Sequence, residues 1–144
     1  MKLLLQRVTE ARVAIDDEVI ASIGPGLLLF AGICRDDNRA SIARLAQRLL
    51  AYRVFSDQQG RMNRSVADIG GQLLVVSQFT LAADTRRGLR PSFSSSAPPE
   101  QAEPLYDHFV ACLRETGISV ESGRFAADMQ VRLVNDGPVT FLLE

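Results

Sequence analysis

Apolar and polar residues alternate along the first part of the chain in the way that predicts β-strands. Residues 8–15 alternate imperfectly, residues 16–18 are all acidic, and the apolar pattern resumes over residues 19–23. We therefore expect a hairpin in this region. Residues 24–26 are Gly-Pro-Gly, which is typical of a turn. The continuously apolar run at residues 27–34 then predicts a strand that is covered on both faces.

Two segments show the apolar spacing of a helix that buries one side. The first follows possible capping residues at positions 36–38. Its apolar residues recur at positions i, i+3, i+4, i+7 and i+8, namely Ile42, Leu45, Ala46, Leu49 and Leu50. The second is expected from about Pro99 to Thr116, with Gly117 as its C-terminal stop.

The remaining apolar runs predict four further strands. The longest covers residues 73–81 directly after a Gly-Gly pair, and its composition is that of a buried strand. Closing strands are expected at residues 118–125, 129–134 and 139–143. The pattern predicts an α/β fold with a mixed or mostly antiparallel, barrel-like sheet packed with two main helices. Without a repeat, a linker or a domain break, residues 1–144 are expected to form a single domain.

Composition narrows the classes of function. An apolar content of 47% with 23% charged residues indicates a soluble globular protein, and no apolar run reaches the length of roughly 20 residues that a membrane span needs. The first residues lack the features of a signal peptide, so we expect a cytoplasmic location and no membrane partner. The net charge of −1 excludes a uniformly basic surface, so contact with RNA would depend on a few clustered arginines.

Common catalytic arrangements do not fit the sequence. His108 is the only histidine and lies beside the apolar stripe of the second helix, so a Ser-His-Asp arrangement has no obvious base. There is no P-loop, and the carboxylates do not cluster as metal ligands do. Cys34 and Cys112 lack CxxC spacing and a nearby histidine partner, which favours buried free thiols. We expect neither a cofactor nor a metal.

Two short segments carry polar groups that a folded core does not need. Residues 77–81 are SQFTL and residues 135–140 are NDGPVT. Backbone can approach a ligand closely at Gly-Pro, because glycine has no Cβ and proline has no N–H. If the two segments meet, they would form a pocket built mostly from main chain. The alternative interpretation of residues 135–138 is a tight turn between two strands.

The first segment supports two kinds of chemistry. Thr80 at a strand end is either a nucleophile or a β-branched residue that favours a strand, and no activating group is evident beside it. The backbone N–H groups around Gln78 and Phe79 lose their ladder partners where the strand ends, so they could form an oxyanion hole.

Together the two segments resemble the paired signature motifs of the D-aminoacyl-tRNA deacylase family, proofreading enzymes of bacteria and eukaryotes. The resemblance extends through most of the chain. In family order, the matching stretches are residues 6–8 (QRV), 24–28 (GPGLL), 90–93 (RPSF), 123–125 (GRF) and the Asp128-Met129 pair. Each stretch alone is a weak match. With residues 123–129 counted as one stretch, these four and the two signature segments make six in register, which is hard to reach by chance over a chain of this length.

The resemblance implies hydrolysis of the ester bond of D-aminoacyl-tRNA, with mischarged glycyl-tRNA as a second substrate. It also implies a homodimer in which a cis Gly137–Pro138 peptide reaches from one subunit into the pocket of the partner. Two carbonyl oxygens would there face the α-carbon of the aminoacyl group. A D side chain would point away from them, while an L side chain would clash with rigid main chain.

The resemblance also implies roles for the catalytic residues. The amide of Phe79 would stabilise the tetrahedral oxyanion, with Ser77, Gln78 and Thr80 lining the site. No side chain is implied as an indispensable nucleophile, because the 2′-OH of the terminal adenosine is thought to assist the attack by water. An aminoacyl ester is already activated, so positioning and one oxyanion donor could suffice.

The binding residues that the resemblance implies lie in three places. Arg7 would hold the Gly-Pro loop, and Phe125 and Met129 would pack around the terminal adenosine. The candidates for contact with phosphates of the tRNA acceptor stem are Arg86, Arg87 and Arg90, which could also be only a solvated loop. The sequence departs from the family at Ala126, where a glycine is usual.

Two other functions remain open from the sequence. One is a hydrolase with Thr80 as covalent nucleophile. The other is a module that binds the 3′ end of RNA without catalysis, although the intact SQFT and Gly-Pro segments argue against it.

Overall fold

The computed structural model describes all 144 residues of the chain. It contains eight strands, two α-helices and one short 3-10 helix at Phe79–Ala82. In chain order the strands and helices are β1 (Lys2–Ile15), β2 (Glu18–Ile23), β3 (Gly26–Gly32), α1 (Arg39–Ala51), β4 (Phe55–Ser56), β5 (Met62–Arg64), β6 (Gln72–Ser77), α2 (Pro99–Arg114), β7 (Val120–Ser122) and β8 (Gln130–Leu143).

The sheet is organised around β1, whose 14 residues pair antiparallel with β2, β3 and β8. Strand β3 continues the sheet through parallel pairing with β6, and β6 pairs in parallel with β7. The strand order is therefore β2-β1-β3-β6-β7, with β8 on the other edge of β1, while β4 and β5 form a separate small hairpin. Because β2 also approaches β6 and β7, the sheet curves into a nearly closed barrel. The predicted α/β class with a mixed sheet is confirmed.

Both faces of the central strands are buried, which explains their continuous apolar sequence. Successive side chains of a strand point to opposite faces. Leu27, Leu29 and Val75 thus join the large core beneath the two helices. Leu28 and Leu74 join a second core on the other face, inside the curved sheet.

The two helices lie where the apolar spacing predicts them. Helix α1 begins after Asn38, whose side chain accepts a hydrogen bond from the N–H of Ser41 while the Ser41 hydroxyl accepts one from the N–H of Asn38. Helix α2 has Pro99 at its first turn, where a proline loses no intrahelical hydrogen bond. Neither helix combines the length and hydropathy that a membrane span requires.

Several strand boundaries differ from the prediction. Strand β1 begins at Lys2 and not at residue 8, and β3 ends at Gly32 and not at residue 34. Strand β6 ends at Ser77, because β3 pairs with it only that far, and the chain then turns into the 3-10 helix. The predicted strand at residues 118–125 is only the short β7. The two strands expected at residues 129–134 and 139–143 are one strand, β8, because β1 pairs with it on both sides of the Gly-Pro segment. Residues 135–138 are therefore not a tight turn between strands.

Candidate active site

A cavity of about 660 Å³ opens at the end of β6. Its walls come from the 3-10 helix, the first turns of α2 and the segment between β7 and β8, and most of the lining is apolar. Such a volume is ordinary for a small-ligand site. Five predicted site residues line it, namely Ser77, Gln78, Phe79, Phe125 and Met129.

The main chain around Phe79 is firmly held. Phe79 is the first residue of the 3-10 helix, where an N–H group has no acceptor within the helix. The carbonyl oxygen of Phe79 accepts a hydrogen bond from the hydroxyl of Ser96 (3.3 Å), and the N–H of Gln78 donates to the carbonyl of Ala31 (2.9 Å). The main chain at the end of β6 is therefore held in place beside the cavity.

Thr80 does not line the cavity, although the preceding residue, Phe79, does. It is in the 3-10 helix and not in a strand, its side chain is exposed, and its hydroxyl accepts a hydrogen bond from the side-chain amide of Gln78. His108 does not serve as a base for Thr80, because the His108 ring contacts Arg39 and Cys112 on the helix surface. The structure therefore supplies no group that would activate Thr80.

Tyr106 forms part of the cavity wall, and the sequence analysis did not single it out. Its ring is almost fully buried and lies 6.0 Å from the ring of Phe125 between centroids. Its hydroxyl donates to the carbonyl oxygen of Val75 at 3.0 Å. Burial, reinforced by the nearby charge of Asp107, raises the pKa of Tyr106, so this hydroxyl remains a donor. In the sequence, the only indication that Tyr106 lines the cavity was its place on the apolar face of α2.

The segment that carries Phe125 has tight backbone requirements. A Cβ on Gly123 would lie 2.7 Å from the sulfur of Met129, so a larger residue there would displace this flexible side chain, which lines the cavity. Ala126 has φ +57°, in the left-handed region that favours glycine. The methyl group of Ala126 therefore stands at a position whose backbone suits the glycine usual in the family.

Strand β8 bulges away from β1 at the Gly-Pro segment. Gln6 pairs with Thr140 and Val8 pairs with Asn135, so residues 136–139 lie opposite Arg7 alone. The Asn135 side chain closes the bulge by donating to the carbonyls of Arg7 and Val139 and accepting from the N–H of Val139, at 3.0–3.1 Å. Asn135 therefore holds the shape of the bulge, a role that its place in the NDGPVT segment did not indicate.

Arg7 holds the bulge from the inner side. Its guanidinium donates to the carbonyl oxygen of Asp136 (3.1 Å) and to that of Val54 (2.7 Å), and it pairs with the Asp136 carboxylate at 3.2 Å. The Gly137–Pro138 peptide bond is cis, as the resemblance implies. Gly137 has φ +142°, and a Cβ there would lie 2.6 Å from a methyl group of Val139.

Gly137 and Pro138 are exposed and do not line the cavity of their own chain. Within a single chain the two signature segments therefore do not form one pocket. The reason is topological, because β6 and β8 lie on opposite sides of β1 in the strand order.

The three arginines of the long loop are exposed, but they are not equivalent. Arg86 forms a two-point pair with Asp84, which holds the pKa of that carboxyl well below its usual range. Arg87 and Arg90 have no carboxylate within 4.0 Å, and none of the three lines the cavity. The charged residues that do line it are Arg35 and Asp128, neither of which was predicted as a site residue.

The structure contains no group of three or more side chains that could hold a metal ion. Both cysteines are free, but they are half-buried and not fully buried. The sulfur of Cys112 lies 3.6 Å from the Nε2 of His108, one helical turn away, so the expectation that it lacks a histidine neighbour is wrong.

Comparison with known proteins adds the family. The family model described as D-Tyr-tRNA(Tyr) deacylase matches residues 4–144. The chain belongs to this family. A D-aminoacyl-tRNA deacylase of Teredinibacter turnerae is 61% identical over 100% of this chain and 99% of its own length. That of Cronobacter sakazakii is 60% identical over 98% of this chain and 97% of its own length.

Two solved structures share the fold of this chain. One named c-Myc DNA Unwinding Element Binding Protein is 40% identical with a TM-score of 0.95 and covers 100% of this chain and 98% of its own. A probable eukaryotic D-amino acid tRNA deacylase has a TM-score of 0.85 at 17% identity, over 99% of this chain and 97% of its own, and it shows the shared fold.

Proposed function

We propose that this protein hydrolyses the ester bond between a D-amino acid and the terminal adenosine of tRNA, and that glycyl-tRNA is a second substrate. The observation that carries the proposal is the cavity at the end of β6, which Phe79 lines at the start of the 3-10 helix. Family membership over residues 4–144 supports the same reaction. The products are free tRNA and the amino acid, which makes the reaction a proofreading step of translation, carried out in the cytoplasm.

The cavity suits a nucleoside better than a charged ligand. Its lining is mostly apolar, and Phe125 and Met129 supply an aromatic and a polarizable surface for the terminal adenine. Phe125 is itself supported by the buried ring of Tyr106, which limits its freedom before the substrate arrives. Because this wall is already ordered, the entropic cost of binding the substrate is lower.

Hydrolysis requires a donor for the developing oxyanion more than a strong nucleophile. The N–H of Phe79, at the start of the 3-10 helix, supplies that donor beside Ser77 and Gln78. Water attacks the ester carbon with assistance from the adenosine 2′-OH, the C–O bond to the ribose breaks, and the ribose oxygen leaves with a proton. Removal of one such donor typically costs about 10²–10³ in rate.

The site is completed by a second copy of the chain. Gly137 and Pro138 are exposed, and the same strand also exposes Val134, Phe141 and Leu142 on either side of them. Strand β8 has a partner on only one edge, so its other edge is free. A homodimer through this surface covers the apolar residues and delivers the Gly-Pro carbonyls to the partner's cavity.

Chirality is then selected by exclusion. The bulge is held by Arg7 and Asn135 at several points, so its carbonyl oxygens cannot retreat from an L side chain. Rejection by such a clash exceeds the roughly 1–3 kcal/mol that an apolar pocket gains from one methylene group. Glycine has no side chain to clash and is admitted.

The acceptor stem of the tRNA lies beyond the terminal nucleotides. Arg87 and Arg90 are the free arginines available for its phosphates, while Arg86 is engaged by Asp84.

The catalytic assignment is tested by replacing Thr80 with alanine. Because the Thr80 hydroxyl faces the Gln78 amide and lies outside the cavity, we expect the single-turnover rate on D-tyrosyl-tRNA to stay within about threefold of wild type. A loss of several orders of magnitude, together with a trapped acyl-protein, would instead establish the covalent mechanism. Tight binding of the RNA 3′ end without any turnover of wild type would favour the non-catalytic module.

The shared site is tested by complementation. Gly137→Ala damages the bulge and leaves the cavity, whereas Ala127→Trp fills the cavity and leaves the bulge. Each variant alone is expected to lose roughly 10²-fold or more of the deacylation rate. After mixing, unfolding and refolding, mixed dimers regain one intact site, so deacylation of D-tyrosyl-tRNA should reappear. A mixture that stays inactive while mixed dimers form would contradict a site built from two chains.

A further inference from the structure

Two side chains at the cavity have no part in the proposed hydrolysis. Phe93 and Arg35 both line the cavity, and both are exposed to solvent. Phe93 is 40% exposed and its ring lies 5.2 Å from that of Phe79, which is 60% exposed, with the planes tilted by 48°. An aromatic pair that is left this open beside a cavity offers a flat apolar surface to a ligand.

The segment that carries Phe93 is fixed to the body of the protein. The N–H of Arg35 donates to the carbonyl of Ser95 (3.0 Å), and the N–H of Ser96 donates to that of Phe93 (3.0 Å). The hydroxyl of Ser95 donates to the carbonyl of Ala82 in the 3-10 helix. The main chain at Phe93 is thus held in place, although it belongs to a long irregular segment.

Arg35 is positioned as an anion-binding group. Its main chain is anchored on both sides, because its carbonyl also accepts a hydrogen bond from the side chain of Gln101 (2.9 Å). Unlike Arg86, it has no carboxylate within 4.0 Å. The first turn of α2, which carries a partial positive charge, lines the same cavity at Pro99.

We propose that Phe93 and Arg35 form a subsite for the nucleotide that precedes the terminal adenosine. The base of that nucleotide stacks on Phe93, and the guanidinium of Arg35 binds the phosphate that links the two nucleosides. An aromatic surface beside an arginine is the usual means of holding a single-stranded nucleic acid. The subsite rests on the proposed function, since it requires the adenosine to occupy the cavity.

The test compares two minimal substrates. One is the D-tyrosyl ester of adenosine, which lacks the phosphate and the second base, and the other is the same ester of the dinucleotide CpA. For wild type we expect kcat/KM to be roughly tenfold higher on the dinucleotide, since one stacked base contributes about 1–3 kcal/mol. Phe93→Leu and Arg35→Ala should each reduce that preference while leaving the rate on the adenosine ester unchanged.

Matched variants separate the subsite from general damage. Leu89→Ala removes a fully exposed apolar side chain from the same loop, and Arg61→Ala removes an exposed arginine outside the cavity lining. Both should retain the wild-type preference. Phe93→Tyr should retain it as well, because the aromatic face is kept.

The salt dependence of kcat/KM on the dinucleotide tests the phosphate contact separately. Arg35→Ala should reduce the slope of log kcat/KM against log salt concentration by about 0.7, for one lost phosphate contact.

The outcomes distinguish the subsite from the hydrolysis itself. If wild type cleaves neither ester, the proposed function fails and the subsite fails with it. If wild type cleaves both esters equally well, or if Phe93→Leu lowers both rates by the same factor, the hydrolysis stands and the subsite is overturned.

Discussion

The cavity and the Gly137–Pro138 bulge are both rigid, but only the cavity has its surroundings within one chain. Tyr106, Phe125 and the anchored main chain of Phe79 give the cavity its walls. The bulge is braced just as firmly, yet Gly137 and Pro138 face solvent. A bulge whose main chain is held by hydrogen bonds, and whose Gly-Pro residues are exposed to solvent, is suited to contact another molecule. Under the proposed function, binding of the substrate would need one chain and chiral selection would need two.

The largest effect is expected from Gly137→Ala. The new Cβ would meet Val139 at 2.6 Å and the backbone has a positive φ, so the bulge must shift. A displacement of about 1 Å can cost roughly 10²-fold in rate, and we expect a loss of that order in D-tyrosyl-tRNA deacylation.

Gly60→Ala is the matched control for this loss. Gly60 also has a positive φ, but a Cβ there would meet nothing within 4 Å. Its deacylation rate should equal that of wild type. If Gly137→Ala were equally harmless, the bulge would have no part in the site.

A smaller effect is expected from Arg7→Ala. The variant loses charge-assisted hydrogen bonds to the carbonyls of Asp136 and Val54. Unfolding in urea should show a stability loss of about 2 kcal/mol, and deacylation should fall roughly tenfold because the bulge is less firmly held.

Arg12→Ala on the same strand serves as the comparison for Arg7. Its side chain is exposed and has no carboxylate within 4.0 Å, so stability and rate should both stay close to wild type. Equal losses in the two variants would mean that Arg7 supports the sheet in general and not the bulge.

The smallest effect is expected at the cavity, from Ala126→Gly. Relief of the left-handed backbone should raise the free energy of unfolding by up to about 1 kcal/mol. Ala127→Gly, where φ is not positive, should lower it instead. A destabilising Ala126→Gly would show that the methyl group packs against the cavity wall and that its contacts outweigh the backbone strain.

The sequence predicted those features whose physical cause is local. The apolar spacing of α1 and the capping residue Asn38 gave the helix, and the unbroken apolar run of β3 gave a strand buried on both faces. The end of β6 could not be placed, because it depends on where β3 and β7 stop pairing.

The same difference between local and long-range causes applies to the residues of the candidate site. The five predicted cavity residues, which come from the SQFT and GRF segments and the Asp128-Met129 pair, were identified through motifs. Tyr106 and Arg35 carry no motif and reach the cavity only through the packing of α2 and the end of β3. The separation of Gly137–Pro138 from the cavity of its own chain is a property of strand order, which no local pattern encodes.

The central proposition is that main-chain oxygens at Gly137 and Pro138 exclude an L side chain from the cavity. The most direct measurement is the single-turnover hydrolysis of D-tyrosyl-, L-tyrosyl- and glycyl-tRNA by the same preparation. Chiral exclusion predicts that the D-tyrosyl and glycyl esters are cleaved and that the L-tyrosyl ester is cleaved more than roughly 200-fold more slowly. Equal rates on the two enantiomers would contradict it.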